Sequence, residues 1–287
     1  MIKFPVKYIN GNYNVTIKPD GTKIKYTDDG EFKPTRPETI DINISDYCIH
    51  GCKFCYMDAT PNGKFGNLDH ELFNSIPEYC EIAINYCPQH IDLYNFLIRM
   101  QDKNIIVNMT ANQIDFSKYF ATLKQMQDNK LIYGLGISIN NINNKTKNNL
   151  KKYIKYFDNI VIHTVAGVTS METYEYINTL HNKILILGYK TKGRGKLFKP
   201  NFDDFNINKL FRMFDIVSFD NLALDQLDIK NVVSEKVWDK HYMGEDGDFS
   251  FYIDTVKEMY YKSSTEENGF LINNKTVKEM HNEFNKN

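Results

Sequence analysis

From residue 40 onward the chain repeats a simple rhythm. A short run of apolar residues is followed by a longer stretch in which apolar residues recur every three or four positions. The runs IDINIS (40–45), CEIAIN (80–85), IIVNMTA (105–111), YGLGISI (133–139), NIVIHTVAG (159–167), KILILG (183–188) and DIVSFD (215–220) are short and rich in β-branched residues, and read as strands. Between them LDHELFNSI, IDLYNFLIRMQDK, FSKYFATLKQMQDN, KTKNNLKKYIKYF, METYEYINTLHN and NINKLFRMF read as helices; Leu93, Phe96, Leu97 and Met100 fall on one face of the second. Apolar strands alternating with helices predict βαβ units on a parallel sheet, an α/β fold. Six or seven units in about 180 residues are too few for a closed eight-fold barrel. An open partial barrel or a doubly wound sheet fits, with its functional face at the C-terminal ends of the strands.

The rhythm has clear limits. In YNVTIKPDGTKIKYTDDGEF the apolar residues alternate around Pro19-Asp20-Gly21, which predicts a β-hairpin. KPTRPET is a loop. After residue 220 the repeat stops; GDFSFYIDTVKEMYYKSS reads as a second hairpin and the Lys- and Asn-rich end as a frayed helix. Three regions are expected: an N-terminal β-hairpin extension over 1–37, an α/β core over 38–220, and a C-terminal extension or cap over 221–287. Asp246 and Asp248 lie in a turn and lack the spacing of a calcium-binding loop.

Composition narrows the function classes. The 287 residues are 42% hydrophobic and 25% charged, with a formal net charge of −1, so no global field points to nucleic acid or a membrane surface. No apolar run reaches the length of a membrane span, and the N-terminus has no signal-like core. The expectation is a cytoplasmic protein with reduced thiols. The sequon at Asn14 then carries no meaning.

Three of the five cysteines, Cys48, Cys52 and Cys55, lie within eight positions, in a C-x3-C-x2-C spacing directly after the first core strand. Thiolates so close can converge on one metal centre. Structural zinc takes four closed ligands, and His50 is the one candidate for a fourth. A cubane iron–sulfur cluster also takes four thiolates. With three, one iron stays open to a non-protein ligand, which marks a reactive site.

This arrangement resembles the radical S-adenosylmethionine (radical SAM) enzymes: the C-x3-C-x2-C loop after the first strand, the aromatic Phe54 before the last cysteine, and six βα units after it. The resemblance covers residues 38 to 220. It implies a partial (β/α)6 TIM-like barrel in which Cys48, Cys52 and Cys55 hold a [4Fe–4S] cluster and SAM chelates the fourth iron. It further implies reductive cleavage of SAM to methionine and a 5′-deoxyadenosyl radical, which abstracts hydrogen from a substrate.

The resemblance extends to SAM contacts. Where the family has Gly-Gly-Glu-Pro, this chain has Ile84, Asn85, Tyr86 and Cys87. No glycine remains, so the contact to the SAM amino group changes, and the Asn85 side-chain carbonyl is the replacement acceptor. Cys87 would lie near the cofactor, as a small buried residue or as a functional thiol; Cys80 belongs to the core. Thr110 and Asn112 in NMTANQ match a Thr-x-Asn turn. Ser138 in GISI matches a SAM-holding position, and Gly167 and Gly188 match glycines that face adenine. His163 or Thr164 points inward. The loop GYKTKGRGKLFK brings Lys190, Lys192, Arg194, Lys196 and Lys199 to the same face, as a solvated loop or as a cradle for phosphate or carboxylate. Cys87 is the last cysteine, so no auxiliary cluster follows. The implied substrate is a peptide or protein; the alternatives are a small anionic metabolite or nucleotide, or a non-catalytic cluster- or SAM-binding protein. An electron donor such as flavodoxin or ferredoxin is the implied partner. Nucleic acid and membrane are not.

Overall fold

The computed structural model describes residues 2–285. Its N-terminal part is an antiparallel sheet of β1 (Val6–Asn10), β2 (Tyr13–Ile17) and β3 (Lys23–Tyr26). The hairpin expected from the alternation is β2 and β3; β1 is an added strand. Gly11 makes it possible. Its φ of +61° sits in the two-residue turn that joins β1 to β2, and a Cβ there would lie 1.8 Å from the Lys33 carbonyl oxygen. The buried face of this sheet, Val6, Tyr13, Val15 and Ile17, packs on Ile106.

The main sheet carries β4 (Thr39–Asn43), β5 (Glu81–Asn85), β6 (Ile106–Asn112), β7 (Gly134–Ser138), β8 (Ile160–Val165), β9 (Lys183–Leu187) and β10 (Ile216–Phe219), each parallel to the next. Neighbours in the sheet follow chain order without reversal. A doubly wound sheet has such a reversal. Right-handed crossovers therefore stack the helices on one face. Those helices are α1 (Leu93–Asp102), α2 (Gln113–Lys118), α3 (Phe120–Asp128), α4 (Asn144–Tyr153), α5 (Met171–Asn178) and α6 (Ile207–Met213). The first crossover has only a 3₁₀ turn, Glu71–Ser75. The helix expected over 116–129 starts earlier, capped by the Asn112 side chain, and breaks at Tyr119. Leu93, Phe96, Leu97 and Met100 are buried on α1 as their spacing predicts.

The strands bury every second residue. Ile82 and Ile84, Ile160 and Ile162, and Ile184 and Ile186 pack into the core under the helices. Ala83 and Asn85, His163 and Val165, and Leu185 and Leu187 point the other way, into a cavity. The sheet is thus covered by protein on one face and lines a cavity with the other.

The segment after residue 220 adds to this sheet. It contains α7 (Asn221–Gln226), α8 (Ile229–Val232) and α9 (Glu235–His241), none of which the apolar pattern predicts, and then β11 (Ser250–Asp254), β12 (Met259–Tyr261) and β13 (Phe270–Leu271). β11 and β12 form the expected hairpin, but β11 also pairs parallel with β4, from Ser250 opposite Thr39 to Asp254 opposite Asn43. Helix α10 (Val277–Phe284) is not frayed at its start. Thr276 and Glu279 form a capping box, and Val277, Met280 and His281 are buried. Among the described residues no helix is long and apolar enough to cross a membrane.

Candidate active site

A cavity of about 570 Å³ opens at the C-terminal ends of the parallel strands. The period-two pattern of the strands decides what lines it: Asp41 and Asn43 from β4, Asn85 from β5, Thr110 and Asn112 from β6, Ser138 from β7, His163 from β8 and Leu187 from β9. Cys48, Cys52, Phe54 and Cys55 line the same cavity, as do Cys87 and Gly188. Of the residues matched to SAM contacts in the sequence, Gly167 does not. It has φ +71°, a Cβ there would meet Pro200 at 2.8 Å, and its carbonyl accepts the Asn201 N–H at 2.7 Å. Gly167 shapes the turn after β8, and Val165 takes the cavity position.

The cysteine loop is held at both ends. Asn85 is the first tie: its Oδ1 accepts the Ile44 N–H at 3.1 Å and its Nδ2 donates to the Ser45 carbonyl at 3.4 Å. The acceptor assigned to the SAM amine is therefore engaged by the backbone that leads to Cys48. Further along, the Cys48 N–H donates to the Thr60 carbonyl and the Asp46 N–H to the Lys64 carbonyl, both at 2.9 Å. Gly63 fits only without a side chain, since a Cβ would lie 1.9 Å from the Asp46 oxygen. His50 Nε2 meets Asp115 Oδ2 of α2 at 2.6 Å.

All three thiols of the loop are unpaired and half-buried. Burial pushes the Cys48 and Cys52 thiols up, and the neighbouring thiols of the loop push the same way, while Arg194 opposes them. Cys80 and Cys87 are buried. Burial pushes the Cys80 thiol up to about 12, which makes it an inert core residue.

Further round the wall, Thr110 Oγ1 lies 3.5 Å from His163 Nδ1. Gly136 leaves the space they occupy; a Cβ there would come within 2.5 Å of the His163 ring. Thr164 points away from the cavity and accepts a hydrogen bond from the Tyr174 hydroxyl at 2.9 Å. Burial lowers the His163 imidazole to about 4, so the ring is neutral at pH 7. Below the ordinary value of 6.5 the unfolded chain binds a proton that the folded chain refuses. Stability therefore falls as pH drops from 6.5 towards about 4. His163→Gln should flatten this decline by on the order of 1–2 kcal/mol at about pH 5, allowing for water in the cavity. Urea unfolding of both proteins at neutral and acid pH measures it; parallel declines would refute the assignment.

Sequence reasoning missed one feature and left another open. One is a carboxylate stretch of wall where Asp41, Asp220 and Asp246 approach one another near Lys190. Its place deep in the cavity wall pushes Asp41 up to about 6, although cavity solvent still reaches the side chain; Lys190 pulls it down and the other two carboxylates push it up. The signal was present, because Asp41 alternates with Asn43 on the same inward face. The other is the basic loop, three of whose side chains make internal contacts while Lys190 also lines the cavity. Lys190 donates to the Ser264 hydroxyl at 2.6 Å and lies over the Tyr56 ring, Lys192 donates to the Glu266 carbonyl at 2.5 Å, and Arg194 binds the cysteine loop.

No family model matches the chain, and no curated protein matches it in sequence. Among solved structures, SuiB of Streptococcus suis bound to S-adenosylmethionine superimposes with a TM-score of 0.56 at 13% identity, over 86% of this chain and 64% of that one. A second SuiB structure gives a TM-score of 0.60 at 12% identity, over 97% of this chain and 87% of that one. This chain thus spans 64% of the length of the S-adenosylmethionine-bound SuiB chain. At these identities the likeness is one of fold: the chain has the architecture of a protein solved with S-adenosylmethionine bound.

Proposed function

We propose that the protein is a radical SAM enzyme with one [4Fe–4S] cluster, built on a partial (β/α)6 TIM-like barrel. The observation that carries this is the placement of three unpaired thiols, spaced C-x3-C-x2-C, on the same cavity as Asn85, Thr110, Ser138 and His163. The single-direction strand order supports the barrel, and the shared fold supports the SAM site.

The C-x3-C-x2-C spacing favours a cluster over one ion. Among the described residues no group of three His, Cys, Asp or Glu side chains is gathered as a metal site, so the assignment rests on the spacing and on the shared cavity. Thiolates on one tetrahedral zinc approach one another to about 4 Å, whereas each thiolate of a cubane binds its own iron. His50, the fourth ligand of the zinc alternative, is engaged by Asp115 instead. Cys48, Cys52 and Cys55 would hold the cluster. When bound, the cluster and SAM supply one-electron cleavage to a 5′-deoxyadenosyl radical that takes hydrogen from the substrate. The chain's own part is to hold and to exclude. Asn85 fixes the start of the cysteine loop, Gly188 makes room for Leu222 and Ala223 of α7 beside the cavity rather than for a ligand, and Phe54 packs edge-on against Phe198 at 5.9 Å to wall the cavity.

The substrate reading is a peptide or protein. Carboxylates on the wall disfavour an anionic guest, and Lys190, Lys192 and Arg194 of the basic loop behind the anionic-metabolite reading are engaged in internal contacts. A second recess of about 320 Å³ shares Tyr56, Met57 and Tyr252 with the first, which gives room for an extended chain. The one-electron donor would be a flavodoxin or ferredoxin. Anaerobic reconstitution with iron and sulfide, then dithionite and SAM, tests the reading. The expected result is a reduced-cluster EPR signal perturbed by SAM, with 5′-deoxyadenosine formed. A cluster indifferent to SAM would favour a non-catalytic role, and tightly bound zinc without a cluster would overturn it.

A further inference from the structure

We propose that Arg194 is a positioning residue: it holds the cysteine loop in the form that receives the cluster and supplies a fixed positive charge beside it. This deepens the radical SAM reading and rests on it. The loop that carries Arg194 follows β9 and is distant from the cysteines in sequence, yet it lies directly on them. Arg194 Nε donates to the Cys52 carbonyl at 3.0 Å, Nη2 to the Ala59 carbonyl at 3.0 Å, and Nη1 to Asp58 Oδ1 at 2.9 Å. Its backbone N–H donates to the Cys55 carbonyl at 3.0 Å. One residue thus binds the carbonyls of two of the three cysteines and the chain that follows them.

The neighbours of Arg194 are arranged for this approach. Gly193 has φ +52°, and a Cβ there would lie 2.8 Å from the Cys55 oxygen and 2.7 Å from the Tyr56 oxygen. A Cβ on Gly195 would lie 2.4 Å from the Lys190 oxygen and 3.5 Å from the Phe54 oxygen. A side chain at Gly193 would push the two loops apart, and one at Gly195 would clash within its own loop and disturb the turn that carries Arg194. Tyr189, itself buried, donates its hydroxyl to the Gly195 carbonyl at 2.5 Å and fixes the turn from below. On the far side of the cysteine loop His50 meets Asp115, so the C-x3-C-x2-C segment is gripped from two sides, by the loop after β9 and by α2.

A guanidinium suits the task better than an ammonium. Its planar fork presents several donors in fixed directions and keeps its charge at every relevant pH. Asp58 offsets part of that charge, but Asp58 is exposed and Arg194 is only partly so. Three thiolates and a cluster gather negative charge, and a neighbouring cation stabilises it. Net charge and burial set the potential of such a centre. Loss of Arg194 should therefore loosen the loop and make an added electron harder to accept.

The test uses the full chain as wild type, Arg194→Met and Arg194→Lys. Hydrogen exchange of residues 49–58 in the metal-free protein reads the grip without any cluster. Several-fold faster exchange is expected in Arg194→Met, with Arg194→Lys between it and wild type. After reconstitution, iron content should fall several-fold in Arg194→Met, and the midpoint of the remaining centre, titrated by EPR, should move to a more negative potential. Arg194→Lys should keep a near wild-type midpoint, because the charge stays while the fork is lost; a general loss of stability would not separate the variants in this way. Unchanged exchange in both variants, or a full cluster at an unchanged midpoint in Arg194→Met, overturns the proposal. Should Arg194→Met not fold, Arg194→Lys carries the exchange test alone. A wild-type chain that takes up no cluster overturns the radical SAM reading instead, and the exchange comparison still decides whether Arg194 grips the loop.

Discussion

On the proposed function, Cys52→Ala should abolish iron uptake on anaerobic reconstitution and, with it, formation of 5′-deoxyadenosine from SAM. The loss is complete rather than graded because the site has no reserve ligand. Cys48, Cys52 and Cys55 are the thiols of the loop, and a cluster already one protein ligand short of four has nothing to replace a missing one. Cys87, the other thiol on the cavity wall, is buried on the strand side, where its Sγ lies 4.0 Å from Gln89 Oε1. Cys80 is sealed in the core at the start of β5. Cys80→Ala and Cys87→Ala should therefore keep full iron content, at the modest stability loss of a small core truncation, about 1 kcal/mol. Iron and sulfide assays on the three variants separate these cases. A full cluster in Cys52→Ala, or its loss in Cys87→Ala, would show that the ligand set has been misassigned.

Much of this site was legible because it follows from periodicity. The seven core strands were readable as apolar runs, and alternation along a strand fixes which side chains share a face. Asn85, Thr110, Asn112, Ser138 and His163 reach one cavity for that reason alone. The rest was hidden for identifiable physical reasons. Gly167 sits past the end of β8, where alternation no longer governs direction, and its positive φ turns the chain away. Helix α9 buries no residue, so it has no apolar stripe to read. The pairing of β11 with β4 joins residues about two hundred positions apart, and strand pattern does not name a partner. Arg194 was visible as one charge in a basic loop. Its partners are backbone carbonyls, which leave no mark in a sequence. The two glycines beside it were the available signal, since close backbone approach is what glycine permits.

Glu38→Gln should lower stability by about 3–5 kcal/mol, the usual effect of removing one partner from a buried ion network. The seam between the N-terminal sheet and the main sheet explains the size. Glu38, 1% exposed, lies 3.4 Å from Lys23 Nζ and 3.8 Å from Lys25 Nζ, and accepts the Tyr13 hydroxyl hydrogen bond at 2.5 Å. Lys23 is also 2.6 Å from Glu81 at the start of β5. Two cations thus face two carboxylates across the seam. Glutamine keeps the shape and can still accept from Tyr13, but it leaves two cations against one carboxylate. Lys25, held 3.3 Å over the Phe249 ring, is the one stranded. Burial already lowers its pKa, with Glu38 as the chief opposing influence, so its loss lowers the pKa further. Lys23 differs: burial lowers its pKa, but Glu81 and then Glu38 outweigh that and raise it. The pH dependence follows from these signs. Where the folded pKa of a lysine lies below the ordinary 10.5, the unfolded chain binds the extra proton and stability rises with pH. The variant should therefore regain part of its loss as pH climbs towards 10.5, by releasing the Lys25 proton. Wild type should show less of this rise, since Glu38 holds the proton in place. Urea unfolding of both proteins at neutral and alkaline pH measures the difference. Equal midpoints at neutral pH would mean that Tyr13 and Glu81 hold the seam without Glu38, and a gap unchanged by pH would mean that Lys25 is not the stranded charge.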